Sequence, residues 1–185
     1  MSKKASQKTI GSMIKNRFGL VMGIIILLLI PLFLLLVRNT EKNSHMAIYQ
    51  DDTSSFSYPK EWTIRKMAMS NIQGTELFLQ PPNAAEPKTP HVIIEVAAAN
   101  PTSLSDMTDP FTIFHYTKTD AVVSGMHVQK YTNVVHAAEG VLHSTAYVFE
   151  AKGNIYLIEL GYKQQQSDPQ LENDFLQILT SFVPK

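Results

Sequence analysis

Val141–Glu150 (VLHSTAYVFE), the link Ala151-Lys152-Gly153-Asn154 and Ile155–Tyr162 (IYLIELGY) form the stretch that decides the fold. Two runs rich in β-branched and aromatic residues, joined by a Lys-Gly-Asn turn, are the signature of a β-hairpin. In the second run Tyr156, Ile158, Leu160 and Tyr162 alternate with Ile155, Leu157 and Glu159. Both faces of that strand are therefore partly apolar, and a strand apolar on both faces suggests cover on both sides of its sheet.

Part of the cover follows directly in the chain. Asp168-Pro169 supplies an N-cap and a proline at the first helical position. Leu171, Phe175, Ile178, Leu179 and Phe182 then recur at helical spacing as one apolar stripe, and Pro184 marks the end. Working toward the N-terminus, Val123–Thr132, His91–Ala97 and Thr75–Gln80 read as further strands. Ser54–Tyr58 and Trp62–Lys66 flank a Pro59-Lys60-Glu61 turn. Between Pro101 and Asp120 the pattern predicts helix, with Asp109-Pro110 as a second N-cap and first-turn pair. The order β, β, β, β, α, β, β, β, α predicts class α+β, an antiparallel sheet flanked by helices.

A separate segment precedes this domain. Phe18–Val37 is uninterrupted and apolar; Lys3, Lys4, Lys8, Lys15 and Arg17 lie before it and Arg38 closes it. Twenty helical residues at about 1.5 Å each span roughly 30 Å, the thickness of a bilayer's hydrocarbon core. A cleaved signal peptide has a shorter core and an Ala-x-Ala-like site, which is missing here. With no cysteine in the chain, no lipid-modified N-terminal cysteine exists. A pilin-like leader would need a Gly-Phe junction and an early glutamate, whereas here Arg17 precedes Phe18 and no acid occurs before Glu41. The expectation is a retained transmembrane helix. The excess of flanking positive charge places residues 1–17 in the cytoplasm as a basic tail. Residues 38–45 then form a short tether, and 46–185 a single extracytoplasmic domain, as in a single-pass bacterial cell-membrane protein whose first partner is the lipid bilayer.

From Asn43 onward the charge is −6, which argues against nucleic acid as a partner. Zero cysteines exclude disulfides, thiol catalysis and thiolate metal sites. Six histidines remain: His45, His91, His115, His127, His136 and His143. Of these, His127, His136 and His143 fall on neighbouring strands and are the candidates for a metal site. No two histidines are closer than seven residues and no His-x-x-x-His occurs. Val123-Ser124-Gly125 is not a nucleophile motif, no phosphate-binding loop is present, and Asp51-Asp52 reads as a solvated loop pair. No cofactor is implied. The aromatics Phe111, Phe114, Tyr116, Tyr147, Phe149, Tyr156 and Tyr162 read as core, unless exposed as a binding platform.

Phe56-Ser57-Tyr58-Pro59-Lys60-Glu61-Trp62 resembles the F-S-x-P-x-x-W opening of domains related to the photosystem II extrinsic protein PsbP, a fold shared by Mog1-type and DcrB-type domains. The closing hairpin and Phe175–Phe182 resemble that family's final strands and helix. The resemblance covers most of 46–185 and implies an α-β-α sandwich about an antiparallel sheet. It implies a binding or assembly module with no catalytic set. Photosynthetic members support the oxygen-evolving complex, but no acidic or histidine motif here carries that role over. Most bacterial relatives are exported or lipid-anchored; this chain departs from them with a transmembrane helix. The expected function is a non-enzymatic, membrane-anchored extracytoplasmic module that binds a protein partner or small ligand. The alternatives are a structural subunit recruited to a membrane complex through its helix, and a metal-dependent or hydrolytic enzyme.

Overall fold

The computed structural model describes residues 45–70, 72–82, 90–138 and 140–185. The anchor expected at Phe18–Val37, its basic tail and most of the tether lie outside the described residues. Among the described residues no helix is long and apolar enough to cross a membrane. Met46–Lys185 forms one compact unit.

The hairpin that decides the fold is present. Strands β8 (Gly140–Ala151) and β9 (Asn154–Lys163) pair antiparallel, and Lys152 and Gly153 turn between them with φ of 54° and 78°. Both central residues are left-handed, so the turn twists with the strands instead of splaying them. Around the hairpin are β3 (Thr63–Ala68), β4 (Gly74–Gln80), β5 (His91–Ala98), β6 (Thr117–Val123) and β7 (Met126–Ala137). They complete a seven-stranded sheet in the order β3-β4-β5-β9-β8-β7-β6, with every pair antiparallel. Helix α1 (Pro101–Ile113) lies on one face and α2 (Pro169–Ser181) on the other. This is an antiparallel sheet flanked by helices, as the pattern along the chain predicts.

The double-sided cover read from β9 is real. Tyr156, Ile158 and Leu160 enter one core with Leu171, Phe175, Ile178 and Leu179 of α2. Ile155 and Leu157 enter a second, smaller core with Met107 and Phe111 of α1. Tyr156 and Ile158 are 0% exposed, and Ile155 and Leu157 only 2% and 4%, so the first half of this strand is buried on both faces.

In three places the structure departs from the sequence reading. First, there are two sheets. Strands β1 (Met46–Gln50), β2 (Ser54–Pro59) and β10 (Val183–Pro184) form a small antiparallel sheet in the order β1-β2-β10. It shares the α2 face of the sandwich, where Phe182 stacks on Phe56 with centroids 5.9 Å apart and meets Phe149 and Tyr156 edge-on. Strands of five and two residues carry too little periodicity to announce themselves. Second, Val123–Thr132 is not one strand. Ser124 and Gly125, at φ 49° and 82°, make a second tight turn of the same kind, joining β6 to β7.

Third, Asp109-Pro110 does not restart the helix. Asn100 is the cap, accepting from the Ser103 amide at 2.8 Å, with Pro101 behind it. Pro110 sits inside one continuous helix. Met107 and Phe111, four residues apart, bury the same helix face, and a break at Pro110 would pull one of them off the sheet.

The Asp51-Asp52 pair also differs from a solvated loop. Asp51 Oδ1 accepts from the amides of Thr53 and Ser54 and from the Thr53 hydroxyl, while Oδ2 accepts from Tyr49 and Lys66. Asp51 therefore organises the β1–β2 turn and ties it to β3. Burial alone would raise its carboxyl, but Lys66, Thr53 and Tyr49 outweigh this and hold it well below the usual carboxylate range. Only Asp52 is exposed.

Candidate functional site

The geometry of cover locates the candidate site. Seven strands at about 4.8 Å spacing make a face roughly 30 Å wide. A helix of thirteen residues is about 20 Å long and about 10 Å across. On the α2 face the small sheet helps the helix to cover this width. On the α1 face nothing among the described residues does so, and α1 leaves an open cleft on each of its long sides.

The cleft toward β4, β5 and β9 has a volume of about 490 Å3. Its apolar surface comes from Met107, Phe111 and Ile113 of α1, Leu157 of β9, and Met69 and Ile72 of the β3–β4 connection. Its polar surface is acidic: Glu76, Glu95 and Glu159 rise from the sheet, and Asp106 and Asp109 come from α1. Among the described residues no Lys or Arg lines it. Register explains the glutamates. Glu76 pairs with Glu95 and Glu95 with Leu157, while Glu159 pairs with Ile93, two residues along β5 on the same face. Three strands thus bring three carboxyls from distant points of the sequence onto one patch.

These glutamates stand in different surroundings. Glu159 accepts hydrogen bonds from Ser144 Oγ and, at 3.5 Å, from the Tyr116 hydroxyl. Glu95 is pushed up to about 7, first by burial and then by the nearby Glu76 and Glu159. The Tyr116 hydroxyl is itself raised, chiefly by burial. At the rim Ile113 and Phe114 are 67% and 63% exposed. The second cleft, on the other side of α1, has about 420 Å3 and is lined by Leu104, Asp120, His127 and Gln129 among others.

The histidine candidates do not converge. His127 and His136 lie nine positions apart on β7, about 30 Å along a strand, and the odd spacing puts them on opposite faces. His136 and His143 share the α2 face as diagonal neighbours, since His136 pairs with Val141 and His143 with Val134. Two histidines fall short of the three or four ligands a zinc site needs. His143 instead stacks on Tyr162, centroids 5.2 Å apart, and His91 stacks on Phe78 at the same distance. Among the described residues no group of three potential ligands is placed to hold a metal ion. Of the aromatics, Phe111, Tyr147, Phe149 and Tyr156 are core, Tyr116 and Tyr162 are half-buried, and Phe114 is exposed.

The glutamate patch escaped the sequence reading. Glu95 and Glu159 each stand among apolar neighbours in their strands, and Glu76 lies between Thr75 and Leu77. The available signal was the placement of a charge in a largely apolar strand, twice over.

Two solved structures share this architecture. The solution structure of the cyanobacterial PsbP protein CyanoP from Synechocystis sp. PCC 6803 matches with a TM-score of 0.56 at 14% identity, over 76% of this chain and 93% of that one. A crystal structure from Bacteroides thetaiotaomicron VPI-5482 matches with a TM-score of 0.51 at 8% identity, over 71% of this chain and 45% of that one. Both are likenesses of fold alone, and the first makes the architecture of the described domain PsbP-like. No protein-family model and no curated protein sequence matches the chain.

Proposed function

We propose that the chain is a non-catalytic binding module, held on the outer side of a membrane by a helix at Phe18–Val37, and that the acidic cleft beside α1 is its binding surface. The observation that carries this reading is the incomplete cover of the sheet among the described residues: one helix over seven strands leaves a cleft of about 490 Å3 with apolar walls and an acidic floor. Clefts of that size are where ligands and partner segments are held. The five carboxylates select the chemistry. A basic, amphipathic segment of a protein partner fits, its apolar side chains on Leu157 and Phe111 and its cations toward Asp106 and Asp109.

The test is a titration of the full chain in nanodiscs with a short, fluorescently labelled lysine–leucine peptide, set against the same peptide with glutamate for lysine. Binding of the basic peptide alone is expected. The double variant Asp106→Asn with Asp109→Asn, both at exposed positions, should weaken it by about 1 kcal/mol, roughly fivefold. Equal affinity for both peptides, or an unchanged affinity in the double variant, refutes the assignment of this cleft.

A further inference from the structure

The second half of α1 is weakly held on one side and crowded by carboxyls on the other. Pro110 has no amide hydrogen, so the helical bond to Asp106 is missing and the last turn hangs from the first ten residues by fewer bonds. That turn ends at His115, a non-glycine residue at φ 57°, a backbone conformation L residues seldom adopt. What holds the segment down is local: the Phe111 ring on Tyr131, with centroids 4.6 Å apart, Asn133 Nδ2 donating to the Phe114 carbonyl at 2.8 Å, and the Tyr116 hydroxyl donating to Glu159 at 3.5 Å.

Against these stands the cleft wall, where Asp109, Pro110, Phe111 and Ile113 line the same space as Glu95. The groups facing Glu95 are Glu76 from β4, Glu159 and Leu157 from β9, and Asp106 and Asp109 from α1. The nearby cations on this face are engaged at aromatic rings to either side, Arg65 of β3 over Phe78 and Lys118 of β6 over Tyr131. Seating the last turn of α1 beside Glu95 keeps water from a patch where Glu76 and Glu159 already crowd it, and a proton there is what offsets the cost.

We propose that the segment Pro110–Tyr116 is a proton-controlled flap, seated on the sheet while Glu95 carries a proton and released when Glu95 is ionised. The inference stands whether or not the cleft takes a ligand. The seated form holds its proton up to about pH 7, and a Glu95 returned to water would lose it near the ordinary value of 4.5. Between those limits each pH unit favours release by about tenfold; below the lower limit and above the upper one the balance is flat.

The absence of cysteine lets distance probes be placed at will. Spin labels at Thr112→Cys on α1 and Asn173→Cys on α2, both exposed sites on opposite faces, measure the thickness of the sandwich in the full chain in detergent. One short distance is expected at pH 4.5. A longer population should grow by at least about tenfold toward pH 7, while a reference pair at Asn173→Cys and Thr119→Cys stays constant. Glu95→Gln should keep the flap seated at both pH values. Asn133→Ala, which removes the tie to Phe114, should enlarge the long population at pH 7. His115, within the segment itself, is the control. A pH response that survives Glu95→Gln but disappears in His115→Gln therefore overturns the proposal. A distance that does not change with pH in the otherwise native chain overturns it without recourse to Glu95→Gln or Asn133→Ala.

Discussion

Phe182 is the residue through which the two sheets and α2 meet, and truncating it is the severest single test of the fold. Its ring is 3% exposed; it stacks on Phe56 of the small sheet and lies edge-on to Phe149 and Tyr156 of the large one. Phe182→Ala leaves a cavity ringed by three aromatics, each too rigid to collapse into it. A buried Phe→Ala change costs about 4 kcal/mol. Against a total stability of about 5–15 kcal/mol, and with a urea dependence of about 2 kcal/mol per M, the midpoint should fall by about 2 M. The assay is urea unfolding of the full chain, followed by the fluorescence of Trp62, the sole tryptophan, which lies in the same core. Leu176→Ala on the same helix, at 48% exposure, is the control and should cost under about 0.5 kcal/mol. If Phe182→Ala does not fold, Phe182→Leu should, at a cost of about 1–2 kcal/mol. A loss below about 1.5 kcal/mol for Phe182→Ala would refute the claim that this ring joins the sheets.

Asp51→Asn keeps the shape of the β1–β2 turn but removes the charge that Lys66 and the Thr53 donors answer. Because the Lys66 side chain is 52% exposed, the cost should be about 1 kcal/mol in urea unfolding at neutral pH. The Asp51 carboxyl is lowered from its ordinary 3.8, so its contribution is complete above that value and lost as the pH falls below it. The difference between native chain and variant should accordingly vanish in acid; a constant difference would count against the assignment. Ser54 is fully buried and its hydroxyl has no partner among the described residues. Ser54→Ala should therefore be neutral or stabilising by up to about 1 kcal/mol, read as the melting temperature; a clear loss would mean that the hydroxyl is satisfied in solution.

Much of the fold was legible because it rests on local pattern. The turn residues Lys152-Gly153, the two-faced apolarity of Ile155–Tyr162 and the stripe Leu171–Phe182 each state their structure within a dozen residues. Elements that depend on distant partners were not legible. Strand β10 exists because Val183 and Pro184 reach Ser55 and Ser54, whereas β1 pairs with its neighbour β2 but is too short, at five residues, to show a period. The single helix at 101–113 is decided by where Met107 and Phe111 find a floor, which overrides the local preference of Asp109-Pro110 for a helix start.

The candidate site followed the same division. His127, His136 and His143 drew notice as residue types with metal chemistry, but strand alternation and distance along β7 separate His127 from the other two. Glu76, Glu95 and Glu159 drew none, since nothing near each in sequence hints that register will place them together.

By itself, then, the sequence determined the hairpin, the C-terminal helix, the antiparallel class and the resemblance to PsbP domains, because hydrophobic period and turn chemistry are local properties. Only the tertiary structure decided that there are two sheets, that α1 leaves clefts along its sides among the described residues, and that three glutamates gather beside α1. Those outcomes depend on strand order and register, which are set by contacts between residues as far apart as Ser57 and Ser181, and no window along the chain contains them.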